Sequence, residues 1–431
     1  MHSRWISTRR AGLAVALVLV GAGAAWSVGT QRALDIRARV VEPLPPSTTR
    51  AELREADMAF WAGRATRDTL GAEDRAQLAA LYLERASTTG GYEDHRRAEQ
   101  LARASLAIRR GRNGKAAALL ANALLAQHRF GDAYEVAAAL DAMEPGVIEY
   151  RALRGEIALE LGRYAEADSL FELVRRQGAP SPSVIARLAR WRELSGNSGL
   201  AQLMLGEALH AVTTAANARP EDGAWFHLRL SDLALRGGDV AAAKAQLEQG
   251  LRGAPDDQRL RDGRAHAALL EDDSDLAIAL GEQSVAIVPE PDMLALVSDA
   301  YAANGDSARA RHTAEAMRRV TLADTGPWHR SWTLFLLDHT MEVPAMLERA
   351  TVELESRRDI YGYAVYAWAL HVSGDHGRAL AAARTSLGRH VRDAELYLRA
   401  AAIANSAGED EEAETYLAEG RRINPRFRSR W

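Results

Sequence analysis

Residues 226–255 read FHLRLSDLALRGGDVAAAKAQLEQGLRGAP. Ser231 and Ala243 are small residues twelve apart, Gly238 stands between them, and Pro255 follows Ala243 by twelve. Small side chains at matched places let two antiparallel helices approach closely. A glycine between them suits a helix C-terminus, and a proline beyond cannot continue the second helix. The segment therefore reads as a helical hairpin.

Ala243 is one rung of a ladder formed by Ala133, Ala167, Ala201, Ala243, Ala277, Ala310, Ala345, Ala379 and Ala413. The steps are 34, 34, 42, 34, 33, 35, 34 and 34 residues, and Ala98 lies 35 below the first rung. Twelve residues before each rung is another small or short side chain: Ala121, Gly155, Ala189, Ser231, Ala265, Ser298, Thr333, Ala367 and Ala401. Gly162, Gly196, Gly238, Gly305, Gly374 and Gly408 each precede a rung by five, and Pro145, Pro255, Pro289 and Pro425 each follow one by twelve. Four kinds of position recurring in phase define a repeat of about 34 residues.

From about Gln77 onward the chain resembles the tetratricopeptide repeat family. Besides 226–255, the clearest copies are 294–317 (LALVSDAYAANGDSARARHTAEAM) and 363–387 (YAVYAWALHVSGDHGRALAAARTSL). The family's large apolar residue at the seventh place is supplied by Leu120, Leu188, Leu230, Val297, Trp332 and Tyr366, while Arg154 and Arg264 depart from it. About ten repeats are counted, the first degenerate, with its turn stretched to STTGGYEDH at 87–95. The resemblance implies an all-α, right-handed α-solenoid of helix–turn–helix repeats. It also implies that the first helix of each pair lines a concave face. The inward positions place Arg187, Arg190, Trp225, Asp232, Asp299, Arg330, Tyr361, Trp368 and His371 on that face. Exposed aromatic residues among arginines have the composition of binding hot spots; Trp332, Tyr363 and Tyr366 fall instead at packing positions. A clamp for chaperone C-terminal tails is incomplete, because Asn122 is present but Ala118 and Leu153 stand at the other clamp places.

Before the repeats, residues 1–10 are short and basic. Residues 11–29, AGLAVALVLVGAGAAWSVG, hold nineteen residues without a charge, long enough to span a bilayer as one helix. Arg4, Arg9 and Arg10 precede the stretch, so it reads as a transmembrane helix or signal anchor, with a cleaved signal peptide as the alternative. Arg32, Arg37 and Arg39 follow it, leaving a slight preference for the solenoid outside the cytoplasm. Residues 30–48 form a linker stiffened by Pro43, Pro45 and Pro46. The Thr49–Glu52 capping pattern opens an N-terminal capping helix within 49–72, and 73–431 is the solenoid.

Apolar content is 47%, aromatic content 6%, and the formal net charge −4. That balance argues against a nucleic-acid surface. There is no cysteine, which excludes disulfides and thiol chemistry. GRNGKA at 111–116 lacks the first glycine and the hydroxyl residue of a phosphate loop, GNSG at 196–199 lacks the last glycine of a nucleophile elbow, and the histidines form no H-E-x-x-H pair. Neither enzyme chemistry nor a metal or cofactor is expected. The reading is a membrane-tethered adaptor or assembly factor of a bacterial envelope that binds an unidentified protein or peptide, with a self-associating structural component as the alternative. The 42-residue step predicts that the helix after Ala201 continues from His210 to Ala218 and projects before Trp225 restarts the stack.

Overall fold

The computed structural model of the chain describes residues 48–89, 91–178, 180–323, 328–425 and 427. The expected span at 11–29 and its basic flank lie outside these, as does nearly all of the linker. Among the described residues, no helix is long and apolar enough to cross a membrane, and every regular element is helical. The helix α1, Thr48–Arg67, comes first, followed by α2 Ala72–Thr89, α3 Tyr92–Ile108, α4 Gly114–Ala126, α5 Phe130–Met143, α6 Ile148–Glu160 and α7 Tyr164–Arg176. The middle of the chain contributes α8 Pro182–Leu194, α9 Ser198–Thr213, α10 Ala224–Arg236, α11 Val240–Gly253, α12 Gln258–Leu270, α13 Ser274–Ile287 and α14 Pro291–Ala303. Then come α15 Ser307–Ala323, α16 Arg330–Asp338, α17 Val343–Ser356, α18 Ile360–Val372, α19 His376–Ser386, α20 Ala394–Ser406 and α21 Asp410–Ile423. From α2 onward they pack as consecutive antiparallel pairs.

From the α4–α5 pair onward, one left-handed residue folds each pair back. Gly162, Gly196, Gly238, Gly305, Gly374 and Gly408 all have φ between 73° and 87°, the left-handed conformation that ends a helix. The residue after the turn then starts the next helix. Asn197, Asp239, Asp273, Asp306 and Asp375 each accept a hydrogen bond from the amide three residues on, satisfying one orphan donor of the new helix. His128, Asp272 and Thr340 hold the same turn position with φ of 57°, 64° and 56°. A β-carbon makes that conformation cost about 1–2 kcal/mol. Asp272→Gly and Thr340→Gly are each expected to stabilise the fold by about 0.5–1 kcal/mol, after allowing for the freer unfolded glycine. The check is the urea midpoint, which should rise; a fall would mean that the two side chains hold their turns.

Eight of the nine ladder alanines are buried. Ala345 is the exception and is exposed. Its turn carries an extra residue, with Thr340 and Glu342 both left-handed, so the register of α17 slips by one and Met346 takes the buried place. Arg154, at a position where the repeat pattern asks for an apolar residue, is held by ions instead. Its guanidinium meets the Tyr134 hydroxyl at 3.0 Å and Glu166 at 2.5 Å, bridging α5, α6 and α7.

Two further expectations are corrected. The stretched turn of the first repeat is absorbed as helix: α2 runs to Thr89 and α3 starts at Tyr92. The insertion before α10 does not project as a long helix, since α9 stops at Thr213 rather than Ala218. Asp222 accepts from the Arg219 amide at 2.8 Å, which sets a short 3₁₀ turn over Pro220–Gly223. That turn folds back onto the end of α11, where a β-carbon on Gly253 would stand 2.0 Å from the Pro220 carbonyl oxygen. The helix α1 covers α2 with Met58 buried, while Phe60 stays 54% exposed.

The array coils back on itself. The hairpin turns of one stretch abut the connections between repeats about 190–200 residues later. The Ile360 amide donates to the Tyr164 hydroxyl at 2.8 Å, and Arg389 donates to the Leu194 carbonyl at 2.8 Å and to Ser195 at 3.0 Å. Asn424 reaches the Leu235 carbonyl at 3.5 Å. Along this seam one buried core joins Leu124, Ile157 and Phe171 to Leu336, Ile360 and Ala369. Between α8 and α15 the core is instead broken into three smaller clusters.

The first seam contact is a pair of imidazoles, His128 and His329, with Nε2 atoms 3.1 Å apart. Burial and the facing His329 push His128 down to about 2, with Arg357, Arg330 and His95 acting the same way. Burial likewise lowers His329, against Asp292 and together with Arg330 and Arg357. Both are neutral in the fold, whereas an unfolded histidine binds a proton below about pH 6.5. The unfolded chain thus holds more protons in acid. Stability should be complete above that pH and decline below it, by up to about 1.4 kcal/mol per pH unit for each such histidine. His329→Gln is expected to flatten the fall in urea midpoint between neutral and mildly acidic buffer. Equal slopes for the two proteins would refute this.

Candidate binding cleft between α8 and α10

The longer connection after α9 holds the first helices of two neighbouring repeats apart. Between α8 and α10 lies a cleft of about 720 Å³. Ala201, Leu205 and Val212 of α9 form its floor, and Ala186, Trp225 and Phe226 line its sides. Trp225 is 38% exposed, an indole standing partly free in the cleft wall. Toward the inside of the coil the lining becomes ionic, with Arg187, Arg190, Arg229 and Arg236 facing Glu156 and Glu193.

Glu193 organises this inner end. Its carboxylate lies 3.0 Å from Arg190, 3.2 Å from Arg229 and 2.6 Å from Arg236. Burial alone would raise the carboxyl, but Arg190, Arg236 and Arg229 outweigh it and hold it at about 2. Arg187 pairs with Glu156 at 2.8 Å and reaches Asn122 at 3.3 Å; Asp232 is taken by Arg229 at 2.8 Å.

Behind the cleft the coil brings distant repeats together. Arg236 donates to the Tyr361 hydroxyl at 3.3 Å, that hydroxyl donates to Asp393 at 3.4 Å, and Arg330 sits 3.6 Å over the Tyr361 ring. Arg190 and Arg357 approach Glu160, each at 3.5 Å. Burial disfavours the charge of Arg330, and Arg236, Arg357 and Arg190 add repulsion, so its affinity for a proton is lowered. Tyr361 and Asp393 are raised by the same burial. A guanidinium keeps its proton regardless, so this interior is permanently cationic wherever carboxylates do not balance it.

Of the residues read from the sequence, the fold gathers Arg187, Arg190, Trp225 and Asp232 at the cleft and brings Arg330 and Tyr361 up behind them. The other three lie elsewhere. Trp368 donates to Asp338 at 2.8 Å beneath the Arg399 guanidinium, and His371 stacks on its ring at 4.8 Å. Asp299 faces His339 at 3.5 Å. The expected exposure of Tyr361 and Trp368 is corrected: they are 3% and 2% exposed, because the closed coil turns an inward face into core. Glu160, Glu193, Arg236 and Asp393 escaped sequence reasoning. Each looks like an ordinary charge on a solvated helix until the coil closes over it.

This geometry defines an α-helical repeat solenoid with an ion-lined cleft between two of its repeats. No protein-family model and no curated protein matches the chain. Among solved structures it is similar to PilW, a widely conserved type IV pilus biogenesis factor, at 15% identity and TM-score 0.41, covering 50% of this chain and 96% of that one. A human IFIT1 dimer with PPP-AAAA is 14% identical at TM-score 0.45, covering 82% and 90%. BtubC from P. vanneervenii is 15% identical at TM-score 0.36, covering 47% and 94%.

Proposed function

We propose that this protein is a scaffold that captures another protein or a peptide in the α8–α10 cleft and performs no chemistry of its own. The observation that carries the reading is the cleft itself. It joins an apolar floor and a half-exposed Trp225 to a rim of arginines, the mixture that anchors most interface energy. The charge-free stretch 11–29 behind three arginines supports a tether to a membrane, with the solenoid on the outer side of a bacterial inner membrane as an adaptor or assembly factor. Trp225→Ala with Arg187→Ala, in the tagged full chain, is expected to reduce capture of native partners from solubilised membranes at least tenfold, about 1.4 kcal/mol. Undiminished capture, with the helical spectrum unchanged, would overturn the assignment of the cleft.

A further inference from the structure

The chemistry of one seam contact depends on acid. His128, in the turn between α4 and α5, and His329, just before α16, stand 201 residues apart in the chain, yet their Nε2 atoms face each other at 3.1 Å. Two imidazoles share a hydrogen bond only while one nitrogen donates and the other accepts. The pair can therefore take up one further proton, at an outer nitrogen, but not two. The outer nitrogen of His128, Nδ1, is buried without a partner, and so is Nδ1 of His95 close to the pair. A proton added there would put a charge where no acceptor stands.

The surroundings oppose such a charge. Arg330 follows His329 and Arg357 comes in from α17, and both repel a proton on either ring. From α3, His95 adds to the repulsion on His128, while Asp94 is engaged by Arg85 at 2.7 Å. On the α5 side Arg129 lies between Glu99 and Asp132 at 2.8 and 2.5 Å. On α17 Arg349 pairs with Glu353 at 3.1 Å, and Glu348 is exposed. Asp292 of α14 draws a proton toward His329, but it already accepts from the Ser331 hydroxyl at 2.6 Å, and burial outweighs it.

Beside the pair the seam is already parted by a second cleft of about 700 Å³, with His128, Arg129 and Phe130 on one side and Trp328, Arg349 and Val352 on the other. Arg357 spans it, its guanidinium 4.8 Å over the Phe130 ring. Widening this cleft brings both imidazoles to water, where each binds a proton below about pH 6.5. Every pH unit below that value then favours the open form over the closed one about tenfold for each imidazole. We infer that the His128–His329 pair is an acid-sensitive latch: it holds the coil closed at neutral pH, and mild acid parts the seam there while the hairpins on either side stay folded. Those hairpins rest on left-handed backbone turns and buried apolar side chains, neither of which takes up a proton in this range. The latch does not depend on what the α8–α10 cleft binds.

The chain has no cysteine, so Glu135→Cys on α5 and Thr351→Cys on α17, both exposed, can carry a donor–acceptor dye pair across the seam of the full chain in detergent. Between about pH 7.5 and 5.0 energy transfer should fall with a steepness of about two protons, while the circular dichroism of the helices stays unchanged. A pair confined to one arm, Glu135→Cys with Ser169→Cys, should show no fall. His329→Gln keeps an amide for His128 to bond but takes up no proton. It should reduce the steepness to about one proton and move the midpoint to lower pH. His128→Gln should do the same, and the double variant should stay closed throughout. His312→Gln, an exposed histidine on α15, should change nothing. Constant transfer over the whole range, a parallel loss within one arm, or a double variant that opens at the same pH as the unaltered chain would each overturn the inference.

Discussion

Glu193→Ala is expected to destabilise the protein by about 3–5 kcal/mol, the usual cost of stripping the partner from buried charges. Glu193 is 4% exposed and is the only carboxylate within ion-pair distance of Arg236 among the described residues. Removing it leaves Arg236 without an ion pair in a half-dry interior, beside Arg190 and Arg229, which keep only Glu160 and Asp232, and with Arg330 behind them. Glu193→Gln should cost less, because the amide oxygen still accepts one guanidinium. Urea unfolding followed by circular dichroism measures both. A loss below about 1 kcal/mol for Glu193→Ala, the scale of a surface pair, would mean that water already screens the cluster. In that case the cleft runs through to the axis of the coil.

Gly162→Ala should destabilise the fold well beyond Gly374→Ala, although both glycines occupy the same turn position. Gly374 has φ of +87° and open space where a β-carbon would stand, whereas a β-carbon on Gly162 would lie 2.2 Å from the Arg358 carbonyl oxygen. Gly374→Ala therefore costs only the left-handed backbone, about 1–2 kcal/mol. Gly162→Ala adds an overlap with rigid backbone, which the chain relieves by parting the seam, for a total of about 2–5 kcal/mol. Small-angle scattering should show Gly162→Ala expanded and Gly374→Ala unchanged. Equal stability and equal size for the two variants would show that the seam contributes nothing.

Those two glycines also mark where reading the sequence succeeds and where it stops. A turn residue acts on its own neighbours, so Gly162 and Gly374 announce the same hairpin geometry, and the ladder of small residues states which helices pair. Register survives wherever the turn length is constant and slips at Ala345, where one extra residue hands the buried place to Met346. Nothing local distinguishes Gly162, pressed by Arg358, from Gly374, pressed by nothing. The seam partners are about 196 residues apart and share no motif. For the same reason Arg187, Arg190 and Trp225 could be placed on an inner face, but Glu193 and Arg236 could not be recognised as their partners. Tyr361 and Trp368 fall at groove positions by repeat register, and the coil fills that groove.

A linear repeat array has only neighbour contacts, so it folds and frays from any point along its length. The seam changes that for this chain by tying segments nearly half the molecule apart. Bringing two such points together in a flexible chain costs roughly 5 kcal/mol of loop-closure entropy, more than a few hydrogen bonds return. Helical hairpins that already curve remove most of that cost, so the array must assemble before its ends meet. Closure is then the late, high-contact-order step, and its amides, Ile360 first among them, exchange with solvent before those of the α2–α3 or α20–α21 hairpins. The molecule behaves as a split ring with two stiff arms, and its softest mode is a hinge through the broken core between α8 and α15.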